Sequence, residues 1–200
     1  PQYSFECLTA FAGATISWIE NNLNLINDPK DSEKISLELE DNGGVYIIPA
    51  FAGLSAPYWL PSAKAMFYGI TAATNFKHIV RASLESVAYQ IVAYLEYIQK
   101  NEKIDIPKII IDGGMTNNRF LMQLISNLSQ KEISIPLFPD MSSYGSLLMG
   151  LIGSGKCKNF DELEQYRVES RSFFPTKDER SMSDFTTWKE IIDKHFVNIS

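Results

Sequence analysis

Asp112-Gly113-Gly114, with Asn118 four residues further on, is where this chain gathers residue types able to hold a small polar ligand. The glycines carry no Cβ, so a flat or sugar-like group can lie directly against the backbone. A helix beginning just after them would add free N–H groups and a partial positive charge. Asn117 or Asn118 suits the cap of such a helix, because its side-chain oxygen can accept from an unpaired amide of the first turn. Strand, two-glycine turn and helix together make a platform for a nucleotide. Taken alone, the same pattern also describes an ordinary connection between a strand and a helix.

The flanking residues supply the elements that would position this turn. Ile109-Ile110-Ile111 is a β-branched run too short for a helix, which predicts a strand buried on both faces. From Arg119 onward Phe120, Leu121, Leu124, Ile125 and Leu128 follow helical spacing.

Other chemistries are poorly supplied. Cys7 and Cys157 are far apart and have no neighbouring histidine, so they predict plain thiols of a reducing compartment, neither a zinc site nor a disulfide framework. His78 and His195 are the only histidines, too few for histidine-rich metal sites, and Ser-His-Asp hydrolysis is poorly supported. His78 falls in a first helical turn and reads as a surface or capping residue. The net charge of −6 is spread along 200 residues, whereas a nucleic-acid partner calls for a basic face. No apolar run reaches membrane-span length, and 45% hydrophobic residues suit one domain with a substantial core. Gly150 to Lys156, GLIGSGK, has P-loop spacing, but Cys157 stands where a Ser or Thr should bind Mg²⁺, and a helix rather than a strand precedes it. That motif is rejected.

Taken in order, Tyr3 to Glu6 could close a strand, and Phe11 to Ile19 has helical spacing. Asn27 to Asn42 reads as a solvated loop with a short exposed helix. Val45 to Ile48 and Met66 to Ile70 read as strands around a Pro-marked loop, which either packs on the core through Tyr58 and Trp59, the favoured reading, or stands at a cleft between two domains. Thr74 or Asn75 should cap a long helix over 76–99, where Arg81 and Glu85 form an i,i+4 pair. Ile133 to Leu137 predicts a strand, Met141 to Ile152 a helix, and Asp184 to Phe196 a closing helix with Phe185, Trp188, Ile191, Ile192 and Phe196 inward. Alternating strands and helices indicate an α/β fold.

Four stretches together resemble the FGGY family of carbohydrate kinases, nearest its glycerol kinase branch. They are Asp112-Gly113-Gly114 with Asn118 and Phe120-Leu121-Met122-Gln123; Pro49 to Trp59, PAFAGLSAPYW; Asn75 to Gln90, NFKHIVRASLESVAYQ; and Phe11 to Trp18, FAGATISW. They keep the family's order and spacing, and weaker matches extend through the tail. The sequence departs from the family at Leu60 to Ala65, where an acid, an arginine and a glycine are replaced, and at the bulky Tyr144 and Leu147.

The resemblance implies a ribonuclease-H-like, actin-like ATPase domain, a mixed sheet with flanking helices. Residues 1–200 would form the C-terminal, nucleotide-binding half of a two-domain cytoplasmic kinase. ATP and Mg²⁺ would be its cofactors, glycerol its acceptor, and self-association a possibility. Gly113 and Gly114 would support the adenosine, Asn118 would hydrogen-bond the base or ribose side, and Gly13 would face the phosphates. Ser17 stands where the family often carries Gln and would reach a ligand through water. The general-base aspartate and the acceptor pocket would lie in an N-terminal part that this chain lacks, leaving the chain catalytically silent alone. A pentulose kinase of the same family, such as a xylulokinase, and a non-catalytic nucleotide-binding regulatory module stay open beside the glycerol reading.

Overall fold

The computed structural model describes Thr9 and residues 11–197. The strand expected at Tyr3 to Glu6, and Cys7, lie outside the described residues. The backbone of the fold is a long helix, α3 (Phe76–Glu102), crossed by α1 (Gly13–Asn21), α2 (Asp31–Leu37) and α4 (Arg119–Ser129). Its start is set by Asn75, whose side chain accepts from the Lys77 amide while His78 Nδ1 accepts from the Asn75 amide. His78 is therefore the capping residue its position suggested.

Two sheets flank these helices. β1 (Tyr46–Ile48) and β2 (Met66–Tyr68) form an antiparallel pair. β3 (Lys108–Ile110), β4 (Glu132–Pro136) and β5 (Ser170–Phe173) form a mixed sheet, with β3 parallel to β4 and β4 antiparallel to β5. α4 makes the crossover between β3 and β4, as a parallel pair requires. Helix α5 (Met141–Gly153) and α6 (Glu179–Ile192) follow β4 and β5.

The main core lies between α3, α4, β1, β4 and α6. Leu121, Ile125, Ile133, Val87 and Ile192 meet there around Trp188. Trp188 is fully buried and its indole nitrogen donates to the Ile47 carbonyl at 2.9 Å, which satisfies its only polar atom. A second cluster joins Ile16 and Ile19 of α1 to Val80 and Leu84 of α3, with Met115 and Phe120 against it. That cluster draws the start of α1 up to the two-glycine turn.

Three expectations from sequence are corrected, and one strand is added. Ile110 is largely exposed, because β3 is a sheet edge and only one face of the sheet carries the core. Trp59 points outward and is exposed, whereas Tyr58 alone packs inward, edge-on to Trp188. The short polar helix α2 is only partly solvated: Ser32 and Ser36 are buried against its neighbours. Small hydroxyl side chains let that helix sit close, and a polar sequence conceals it. Ser170–Phe173 is a strand that its mixed composition did not announce.

Arg81 and Glu85 are also more than a surface pair. Their side chains are 11% and 4% exposed, 2.8 Å apart, and Glu85 accepts from Asn42 as well. Arg81 also donates to the Ser36 and Leu39 carbonyls at the end of α2. Burial pushes the Glu85 carboxyl above its ordinary range, and the hydrogen bond and charge of Arg81 oppose that shift.

Candidate functional site

The chain leaves β3 at Ile111, whose amide still donates to Ser134 of β4 at 3.0 Å. Gly113 then takes φ +104, a conformation that side chains rarely adopt, and this reverses the chain. Its carbonyl accepts from the Thr116 amide and hydroxyl at 3.1 and 2.7 Å, closing a 3-10 turn over Gly114–Asn117. Asn118 caps α4 by accepting from the Leu121 amide at 2.9 Å. Of the two candidate caps, Asn118 is the one used.

Gly114, without the positive φ of Gly113, lies on a cavity wall, whereas Gly113 does not. A Cβ on Gly114 would meet nothing within 4 Å. The open space belongs to a cavity of about 330 Å³ lined by Gly114, Met115, Asn117 and Asn118 on one side and by Pro29, Lys30, Ser32 and Glu33 on the other. Segment 29–33 is held against the turn by two contacts. Asn118 Nδ2 donates to Ser32 Oγ at 3.4 Å, and the Glu33 carboxylate accepts from the Arg119 amide at 2.8 Å. The latter places a negative charge on the first turn of α4, where the helix dipole favours it.

The five residues singled out in the sequence are not all brought to this cavity. Gly114 and Asn118 line its wall, and Gly113 shapes the turn behind it. Gly13, at the start of α1, abuts Met115: a Cβ on it would lie 3.4 Å from Met115 Cγ. Glycine there lets α1 approach the turn. Ser17, one helical turn further along, is exposed and is not part of the cavity wall.

Three contributors were not legible beforehand. Ser32 and Glu33 lie in a charged stretch whose composition reads as solvated loop. Arg171, on β5, donates through Nη2 to the Thr116 carbonyl at 2.8 Å and lies over the Phe173 ring, supporting the turn from behind. The only sequence signal for Arg171 is a cation two residues before an aromatic, which specifies no partner.

Chemically, the arrangement can enclose a flat, polar group of nucleoside size. It offers bare backbone at Gly114, the amide of Asn118, and one ammonium and one carboxylate from Lys30 and Glu33. Among the described residues there is no group of three or more His, Cys, Asp or Glu placed to hold a metal ion.

Comparison with known proteins matches residues 1–154 to the family model for the C-terminal domain of the FGGY family of carbohydrate kinases. A glycerol kinase of Haemophilus influenzae is 35% identical over 195 residues, covering 97% of this chain and 39% of the relative. The crystal structure of Plasmodium falciparum glycerol kinase with ADP superposes with a TM-score of 0.82 at 29% identity, covering 92% of this chain and 37% of that one. A ligand-bound xylulose kinase from Lactobacillus acidophilus superposes with a TM-score of 0.78 at 18% identity, over 94% of this chain and 39% of that one, a likeness of fold. The chain thus spans about two-fifths of the length of the curated relatives it matches.

Proposed function

Since the chain belongs to the FGGY family of carbohydrate kinases, through its C-terminal domain, we propose that residues 1–200 form the nucleotide-binding half of an ATP-dependent, cytoplasmic kinase acting on glycerol. The observation that carries this reading is the cavity at Gly114 and Asn118, placed on the turn between a strand and a helix start. In the proposed complex the adenosine lies on the bare backbone at Gly114, with Ser32 and Glu33 closing the opposite side. The second amide proton of Asn118 reaches the base or ribose, since its oxygen is already held by Leu121. Gly13, against Met115, keeps the start of α1 close to where the phosphates leave the cavity.

Bound ATP supplies the phosphoryl group, and catalysis of its transfer is mainly positioning and charge neutralisation. This chain orients the nucleotide; the general-base carboxylate and the acceptor pocket belong to the part of the kinase that lies outside it. Mg²⁺ would be carried on the phosphates, and no residue of this chain is assigned to it. By itself the chain binds nucleotide and does not turn over. Glycerol is preferred to a pentulose because the relative at 35% identity is a glycerol kinase, while the xylulose kinase shares only the fold at 18%.

Titration calorimetry with MgADP tests the site. The parent chain should bind saturably. Gly114→Leu, whose side chain enters open space and leaves the turn intact, should weaken binding at least about tenfold, which is about 1.4 kcal/mol. Equal binding by parent and Gly114→Leu would sink the assignment. Asn118 needs two variants, because it also builds the fold. Asn118→Ala should cost about 1 kcal/mol of stability through loss of the cap. Asn118→Asp keeps an accepting oxygen, so its melting should stay close to the parent while MgADP binding falls. If Asn118→Asp binds as tightly as the parent, the amide makes no contact with the nucleotide.

A further inference from the structure

Helix α2 carries Ser32 and Glu33, which close the far side of the cavity at Gly114, yet little apolar packing holds it there. It is seven residues long, too short to persist by itself. Of its two large apolar residues, Ile35 packs against a hydrophobic cluster, while Leu37 is 62% exposed. The placement of α2 therefore leans on polar bonds. At its start Ser32 and Glu33 meet Asn118 and the Arg119 amide. Its other end is held by Arg81 of α3.

The Arg81 side chain is nearly buried, and its guanidinium is shared among three elements. Nε donates to Glu85, one turn further along α3, at 2.8 Å. Nη1 donates to the Ser36 carbonyl at 3.2 Å and to the Leu39 carbonyl, acceptors of the kind a helix end leaves open. The flat cation also lies 5.2 Å from the centre of the Phe120 ring, in the first turn of α4. One side chain thus grips both walls of the cavity, α2 and the start of α4, without lining it. The pair Lys77–Glu38, at 2.6 Å, also joins α3 to the end of α2. Both of its side chains are a third or more exposed, where such pairs contribute little.

We propose that Arg81 is a positioning residue for nucleotide binding: by holding the carbonyl end of α2 and the ring of Phe120, it fixes the spacing between the two cavity walls. Glu85 acts through Arg81, since its bond to Nε leaves Nη1 facing the α2 carbonyls. A lysine cannot stand in for this fork. Its single ammonium can meet Glu85, but it has no second, planar arm to reach the carbonyls and no flat face to lay on Phe120. The inference rests on the nucleotide reading of the cavity and adds a residue that touches no part of the ligand.

Calorimetric titration with MgADP and amide hydrogen exchange, both on this 200-residue chain, test it together. Arg81→Lys keeps a cation beside Glu85 and should melt close to the parent. Its MgADP affinity should fall at least about fivefold, because the walls are no longer preorganised. Amides of segment 32–37 should exchange faster, while those of α6 keep the parental rate. Arg81→Met with Glu85→Gln is the second variant: it leaves no unpaired charge in the interior, lacks the same arm, and should show the same two changes. Lys77→Ala, which breaks only the exposed pair, should leave affinity and exchange as in the parent. If the parent binds and the folded Arg81 variants bind as tightly, the proposal alone is overturned. Weaker binding without faster exchange in α2 overturns it too, since Arg81 would then act by another route. A parent chain that binds no MgADP overturns the nucleotide reading and this proposal with it.

Discussion

α4 and α5 lie in the same half of the chain, both follow strands of one sheet, and both begin with a side-chain cap, Asn118 or Asp140. Their surroundings are opposite. α4 buries Leu121, Met122, Leu124, Ile125 and Leu128 in the main core, while α5, although more apolar in composition, buries none of its residues. Burial therefore follows the neighbours available, not the hydrophobicity of the helix. α4 has a sharply one-sided pattern and finds α3, β4 and α6 on that side. α5 is apolar nearly all round, the pattern of a helix meant to be enclosed.

The contrast can be broken most forcefully on the α4 side. Trp188→Ala should cost about 3–5 kcal/mol, because it removes a fully buried indole and leaves the Ile47 carbonyl without its donor. Urea unfolding measures this, and a loss below about 1 kcal/mol would mean that the packed side is as loose as the open one. A subtler probe is the buried carboxyl on α3. Its folded pKa lies above the ordinary 4.5 because burial disfavours the charged form, so the native state holds the proton more tightly than the unfolded chain does. The contribution of Glu85 is then fully present below the ordinary value and is lost as pH rises through the raised one. Glu85→Gln cannot titrate and should flatten that part of the stability profile, as thermal melts across the pH range would reveal. Identical slopes in parent and variant would show that Glu85 ionises as freely as a surface group. The smallest effect belongs to the open side. Leu147→Ser in this chain should change stability by less than about 0.5 kcal/mol. A loss of 2 kcal/mol would mean that α5 is already covered.

Local reading succeeded where a local cause suffices. The caps at Asn75 and Asn118, the helical spacing from Arg119, and the closing helix with Phe185 and Trp188 inward all depend on residues within a turn or two. Half of the candidate site was legible for the same reason: a two-glycine turn before a capped helix is a local device. The other half was hidden. Ser32 and Glu33 are 86 residues from their partners Asn118 and Arg119, and Arg171 is 55 from Thr116. Nothing in a polar stretch announces which distant amide it will meet.

The residue types and their periods were enough to specify the α/β alternation and the turn at Gly113 and Gly114, because backbone conformation and side-chain period are properties of short segments; the likeness to a kinase family rests instead on four motif stretches kept in order. Only the tertiary structure decided which faces those segments bury. Ile110, Trp59 and Leu147 are apolar yet exposed, and Ser32, Ser36 and Glu85 are polar yet buried. Burial is a relation between segments far apart in the chain: a side chain leaves water only where another surface arrives to meet it.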